Sequence, residues 1–168
     1  MKLKSSIEDA LNAQINMEMQ ASYAYLAMSN YFAARDLPGF ATWYREQSTE
    51  ETVHAMKIHD YILKRGGEVR FSALTAPRHS FQSVEDVVGS SLSQEEGVSE
   101  SIQAIYQLAN TEHDAGTQSL MTWFIDEQEE EEESFQELLA QVKAAAEDPW
   151  RLLLLDKELP SREAAPAE

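Results

Sequence analysis

Helix-breaking residues are scarce in this chain, and their placement constrains its architecture. The 168 residues include six glycines and five prolines. They fall at Pro38-Gly39, Gly66-Gly67, Pro77, Gly89, Gly97, Gly116, Pro149, Pro160 and Pro166. The stretches between them are rich in strong helix formers, and nothing reads as a strand. A first helix is expected from Ser5 or Ser6, one of them capping it, to about Arg35, with Glu8 and Asp9 in its first turn. Pro38 suits the first turn of a second helix, which Gly66-Gly67 ends. Residues 67–82 carry no helical rhythm and contain Pro77, so they read as a long connection. A third helix spans about 83–110, with Gly89 and Gly97 as weak points, and a fourth about 114–147. Each long helix measures about 45 Å. Two hairpins joined by a crossover make an all-α, up-down-down-up four-helix bundle. Asp148 and Pro149 restart the chain as a short fifth helix, WRLLLLDKEL. Its leucines at 152–155 cannot all face one bundle, so another element or another subunit is expected to cover some of them. One domain over 1–159 is expected, followed by a disordered tail at 160–168.

The apolar stripes of the four long helices are interrupted by charge. The first stripe runs Leu11, Ile15, Glu18, Ser22, Tyr25, Ser29, with Leu26 beside it. The second runs Tyr44, Gln47, Glu51, His54, Ile58, Tyr61, and the third Leu92, Glu95, Val98, Ile102, Ile105. The fourth runs Leu120, Phe124, Glu127, Glu131, Phe135, Leu138, Val142, flanked by Gln128 and Glu130. A lone glutamate on a buried face costs several kcal/mol unless it is paired, protonated or bound to metal. Here every helix contributes one, and Glu18 and Glu51 lie at similar depths in antiparallel helices. Carboxylates gathered without counter-charge repel and raise one another's pKa, whereas divalent cations relieve them. Glu51 and His54, at i,i+3, share a face and can grip one cation. Oxygen ligands with one imidazole suit Fe, Mn and, less selectively, Zn. Glu51 is the natural bridge between two ions. Each member taken alone is ordinary: an isolated helix glutamate usually faces water, and most of the acidic run at 127–133 must do so.

Composition narrows the partners. Thirteen Lys and Arg against 30 Asp and Glu give a net charge of −17, which suits cations and disfavours nucleic acid and anionic lipid. Cysteine is absent, so disulfides, thiolate metal sites and thiol nucleophiles are excluded. No apolar run reaches transmembrane length, and the N-terminus lacks a signal core. No membrane partner is expected.

The segments NMEMQASYAYLAMS, EETVHAM, EEGVSESI and WFIDEQEEEEESF resemble the non-haem bacterial-type ferritins. The resemblance covers about residues 5–159, and the leucine-rich fifth segment resembles the last ferritin helix. It implies a ferritin-like fold and a ferroxidase that oxidises Fe²⁺ with O₂ or H₂O₂ and stores ferric mineral in a homo-oligomeric cage of 24 chains. It further implies Glu18, Glu51 and His54 on a first iron, and Glu51, Glu95 and Glu131 on a second. Glu50, Glu127, Glu130 and Glu131 match a third iron site. Gln128 and Tyr25 match residues beside the centre, where Tyr25 orients Glu95 or lends an electron. Trp123 matches a nearby tryptophan, for which core packing and a redox role weigh equally.

Departures from related families inform the same reading. Bacterioferritins carry a second Glu-x-x-His in the fourth helix, whereas here Glu127 is followed by Glu130 and Glu131 by Ser134. Thr52 stands where they place a haem-ligating methionine, so no haem is expected. Gln20 replaces a tyrosine found in many relatives, a change of packing or surface. Glu112 and Asp114 are candidates, by position, for lining acidic channels. The alternative is a di-iron or di-manganese oxidase or peroxide scavenger on the same bundle, without mineral. The expected compartment is the cytoplasm, or a plastid in a photosynthetic eukaryote whose transit peptide has been removed.

Overall fold

The computed structural model describes residues 2–145 and 148–159. The tail expected at 160–168 and the expected end of the fourth helix at 147 lie outside them. The helices are α1 (Ser5–Ala33), α2 (Pro38–Lys64), α3 (Val84–Thr111), α4 (Ala115–Ala145) and α5 (Pro149–Glu158). Residues 67–82 cross over without regular structure, and no strand occurs among the described residues. Cross-helix contacts set the directions. Gln14 meets Ser101 and Met28 meets Ser91, so α1 and α3 are antiparallel. Gln47 meets Glu131 and Tyr61 meets Thr117, so α2 and α4 are antiparallel as well. Ser22 meets Ser48 and Ser29 meets Ala41, so α1 and α2 are antiparallel too, and the bundle is up-down-down-up. Gly89 and Gly97 do not interrupt α3.

The ends of the helices follow local chemistry. Ser83 caps α3 by accepting the Asp86 N–H at 3.0 Å, and Asp148 caps α5 through the Trp150 N–H. Neither Ser5 nor Ser6 caps α1. The capping position falls on Lys4 without a side-chain bond, because Ser6 Oγ and Lys4 Nζ both turn to Glu112 beyond α3. Asp114 pairs in two bonds with Arg65 (2.7 and 3.0 Å) and accepts the Thr117 N–H. Glu112 and Asp114 are thus engaged with cations of their own chain, which leaves less charge for a passing ion than their positions suggested. Gln20 pairs through both amide atoms with the backbone of Thr75, at 2.9 and 2.7 Å, and pins the crossover to α1.

The core comes in two parts. One end holds Tyr25, Phe32, Phe40, Trp43, Tyr44 and Phe135; the other holds Ile7, Leu11, Ile15, Ile58, Ile62, Ile102 and Phe124. Glu18, Gln47, Glu51, His54, Glu95, Gln128 and Glu131 are also buried, on helix turns between these two apolar plugs. The expected stripes drift at their ends. Leu26 is exposed, Tyr61, Leu92 and Leu120 are half-buried, and Ile62, Ser91 and Met121 occupy the core positions. Alternating steps of three and four residues slip against the 3.6-residue turn, and the error grows along the helix. No described helix is long and apolar enough to cross a membrane.

Candidate metal centre

The centre is built from one turn of each long helix. Ligand atoms of Glu18, Glu51 and His54 lie within 4.8 Å of one another. His54 Nδ1 stands 3.4 Å from a Glu51 carboxylate oxygen, and its Nε2 stands 4.0 Å from Glu127. Glu95 completes the layer from α3, where Tyr25 Oη donates to Oε1 and Gln128 Nε2 donates to Oε2 at 3.0 Å. Glu131 accepts from Gln47 Nε2 at 2.9 Å. The hydroxyl of Tyr25 therefore orients Glu95, one of the two roles the sequence suggested.

The carboxylates are unequally satisfied. Both oxygens of Glu95 receive a donor. Glu18 has one, from Gln14 at 2.8 Å. Among the described residues, Glu18 Oε2 and both oxygens of Glu51 receive no donor other than one another's carboxyl, and neither ring nitrogen of His54 has a hydrogen-bond partner. An unsatisfied buried polar group costs about 1–3 kcal/mol, and more when charged. The three carboxylate oxygens and one ring nitrogen offer lone pairs that fit a cation. The other nitrogen of a neutral imidazole carries its proton; Nδ1 is the one turned to Glu51, while Nε2 faces Glu127. The donor set, carboxylates with one imidazole, suits iron.

Burial is the first cause of the acid–base state here. It raises Glu18 and Glu51 well above the usual carboxylate range, with neighbouring carboxylates adding to the effect. Burial pushes Glu95 up to about 7 despite its donors Tyr25 and Gln128. Burial and the carboxylate of Glu95 raise Tyr25 well above its ordinary value. A carboxyl group with a higher pKa folded than unfolded binds protons more tightly in the folded state. Stability from these groups is then fully present below about pH 4.5 and is lost as pH rises through the folded values. The metal-free protein should melt at lower temperature at pH 8 than at pH 5.5. Glu95→Gln should flatten that slope, and saturating divalent cation should reduce it, both read by calorimetry. An unchanged slope in Glu95→Gln would remove Glu95 from the account.

A second group is formed by Glu50, His54 and Glu127, again within 4.8 Å. Glu131 is buried, whereas Glu130 is exposed on the neighbouring position of the same turn and does not join either three-residue group. Trp123 packs edge-on against His54 with centroids 5.7 Å apart. Gln14 escaped the sequence reading, although its position four residues before Glu18 was a usable signal. It is 1% exposed and bridges Glu18 to Ser101. Gln47 lay in the expected stripe without a role, and the structure gives it Glu131.

Comparison with known proteins agrees with this geometry. The Ferritin-like domain model matches residues 8–145. The chain is 38% identical over 160 residues to the bacterial non-heme ferritin of Staphylococcus saprophyticus, covering 95% of this chain and 96% of that one. It is 36% identical, with the same coverage, to the bacterial non-heme ferritin of Staphylococcus aureus. Among solved structures, a closed form of the Archaeoglobus fulgidus ferritin engineered by mutagenesis superposes with a TM-score of 0.94. It shares 35% identity and covers 98% of this chain and all of that one. A humanized archaeal ferritin gives a TM-score of 0.96 at 34% identity, with the same coverage. With matching sequence over nearly its whole length, the same bundle and a carboxylate–imidazole layer at mid-height, the chain belongs to the ferritin family, among the non-haem bacterial-type ferritins.

Proposed function

We propose that this ferritin oxidises Fe²⁺ at the Glu18–Glu51–His54–Glu95–Glu131 layer, using O₂ or H₂O₂, and stores the product as ferric mineral inside a cage of 24 chains. Iron storage follows from the family; the oxidation site rests on the buried carboxyls of Glu18 and Glu51, the latter with no donor outside the pair and 3.4 Å from His54 Nδ1, which is the observation that carries the reading. Fe²⁺ is the substrate. Glu18, Glu51 and His54 would hold one ion and Glu51, Glu95 and Glu131 a second, with Glu51 between them. Two Fe²⁺ give up one electron each, and O₂ takes both electrons with two protons to become H₂O₂. Carboxylates favour this direction because they stabilise the more highly charged ferric state.

The remaining residues orient and insulate. Tyr25 and Gln128 fix the two oxygens of Glu95, and Gln47 fixes Glu131. Tyr25 also stacks on Phe135 with centroids 5.7 Å apart, so the aromatic plug holds the donor that aims Glu95. The two apolar clusters keep bulk water from the layer, which strengthens its electrostatics. Glu50, Glu127, Glu130 and Glu131 would serve a third ion. Assembly is supported by exposed apolar side chains: Trp150 is 77%, Phe71 67% and Leu154 56% exposed, an arrangement that favours burial between chains.

Anaerobic Fe²⁺ titration followed by an oxygen electrode tests this. Two to three tight Fe²⁺ per chain are expected, with rapid uptake of about one O₂ per two Fe²⁺. The particle should run near 450 kDa, roughly 24 copies of a 19.0 kDa chain. Binding without oxygen uptake would sink the ferroxidase. A dimer that oxidises iron without forming mineral would favour the oxidase or peroxide-scavenger alternative.

A further inference from the structure

The second ligand group has a fixed positive charge beside it. Lys57 follows His54 and Glu50 on α2 at i,i+3 and i,i+7 spacing, so it extends their face by one turn. Trp123 precedes Glu127 by one turn of α4. Lys57 Nζ rests 3.8 Å from the centroid of the Trp123 ring, and Trp123 in turn meets His54 edge-on. His54 Nε2 faces Glu127 at 4.0 Å. Ammonium, indole, imidazole and carboxylate thus form one continuous row. The indole face holds the ammonium in place by cation–π attraction, within electrostatic reach of Glu127.

Two carboxylates, Glu50 and Glu127, with Glu130 and Glu131 in the neighbouring positions of α4, would retain a cation firmly if nothing opposed it. Resting on the iron reading above, we infer that Lys57 is an electrostatic brake on retention at the Glu50–Glu127 carboxylates beside His54, making that pair a station through which iron passes. The ammonium repels any cation bound there, and Coulomb repulsion scales with the charge of the ion. Fe³⁺ is therefore disfavoured more than Fe²⁺, so the brake acts more strongly on the oxidised product than on the incoming ion. Trp123 supplies the surface that keeps the charge from swinging away. This gives the tryptophan a positioning role that involves no electron transfer.

The test uses the assembled protein. Lys57→Met keeps an unbranched stem and a soft group against the indole but removes the charge, Lys57→Gln removes the charge with a different shape, and Lys57→Arg keeps both charge and ring contact. Anaerobic Fe²⁺ calorimetry should show the weakest binding step tightening about tenfold in Lys57→Met and Lys57→Gln, the size expected for removing one charge from within about 10 Å of a divalent ion. Lys57→Arg should titrate like the unmodified protein. After aerobic loading and gel filtration of a few Fe²⁺ per chain, the two uncharged variants should retain more iron that is accessible to a chelator as isolated ions.

An unchanged weakest step in the uncharged variants overturns the inference. So does a shift in Lys57→Arg as large as in Lys57→Met, which would mark packing and not charge. Binding that stops at two ions in every variant overturns the role of Lys57 and leaves the oxidation centre standing. Absence of stoichiometric Fe²⁺ binding in the unmodified protein overturns both.

Discussion

Glu51→Ala should nearly abolish fast iron oxidation, lowering the initial rate about 100-fold or more. Second-sphere changes at metal sites already cost about 10–100-fold, and Glu51 is proposed as a direct ligand shared by both ions. Its two oxygens have no partner among the described residues beyond the Glu18 carboxyl, and Nδ1 of His54 stands 3.4 Å away. Removing it leaves Glu18 and His54 without their third companion and Glu95 with Glu131 without the bridge. Stopped-flow absorbance after mixing with Fe²⁺ and O₂ reads the loss directly, and near-normal kinetics would refute the assignment. The same substitution should leave the metal-free protein folded and as stable as before, or more so. Burial and neighbouring carboxylates disfavour an ionised Glu51, and removing an uncompensated buried acid often stabilises. Loss of activity with a retained or raised melting temperature separates a ligand from a structural residue.

Gly39→Ala should unseat α5. A β-carbon at position 39 would lie 1.7 Å from the backbone carbonyl oxygen of Asp156, and backbone cannot yield as a flexible side-chain tip can. The close approach exists because α5 crosses the first turn of α2. There the buried Asp156 accepts the Phe40 N–H at 2.9 Å and places a carboxylate at the positive end of the helix. Leu152, Leu155 and Leu159 pack on the aromatic cluster from the same direction. Overpacking of about 1–3 kcal/mol, with loss of a cap worth about 1 kcal/mol, should lower the melting temperature by about 5 °C or more. Arg151 and Lys157 are already exposed, but displaced α5 should unwind and become cleavable by trypsin at both, and the particle should fall below the size proposed for the assembly. A variant with unaltered melting, protected α5 and full-size particles would show that the crossing tolerates a methyl group.

Parts of this protein were readable before any coordinates. Although the cap expected at Ser5 or Ser6 failed where a tertiary contact drew Ser6 to Glu112, the breaker pairs at 38–39 and 66–67 and the cap at Asp148 depend on residues adjacent in the chain, so their effects are local. The charged positions in the apolar stripes were readable for the same reason: a buried face recurs with the helical period wherever the helix lies. That period identified Glu18, Glu51, His54, Glu95 and Glu131 as buried together, with Glu127, which the bundle leaves half-buried, and the gathering of carboxylates around one imidazole suggested the metal. It failed at Leu26, Tyr61, Leu92 and Leu120, because one residue of slip rotates a side chain by about 100°.

Contacts between helices were not readable. Gln14 reaching Glu18 and Ser101, Gln47 reaching Glu131, Gln20 holding Thr75, Asp156 against Gly39 and Lys57 over Trp123 all depend on the rotation and axial shift of whole helices. The two apolar clusters set those quantities by packing against each other over many side chains at once. The sequence therefore determined which residues are carried inward and at what height. The tertiary structure decided which atoms meet there, because meeting requires several helices to agree in phase, and phase is a property of the packed bundle and not of any one segment.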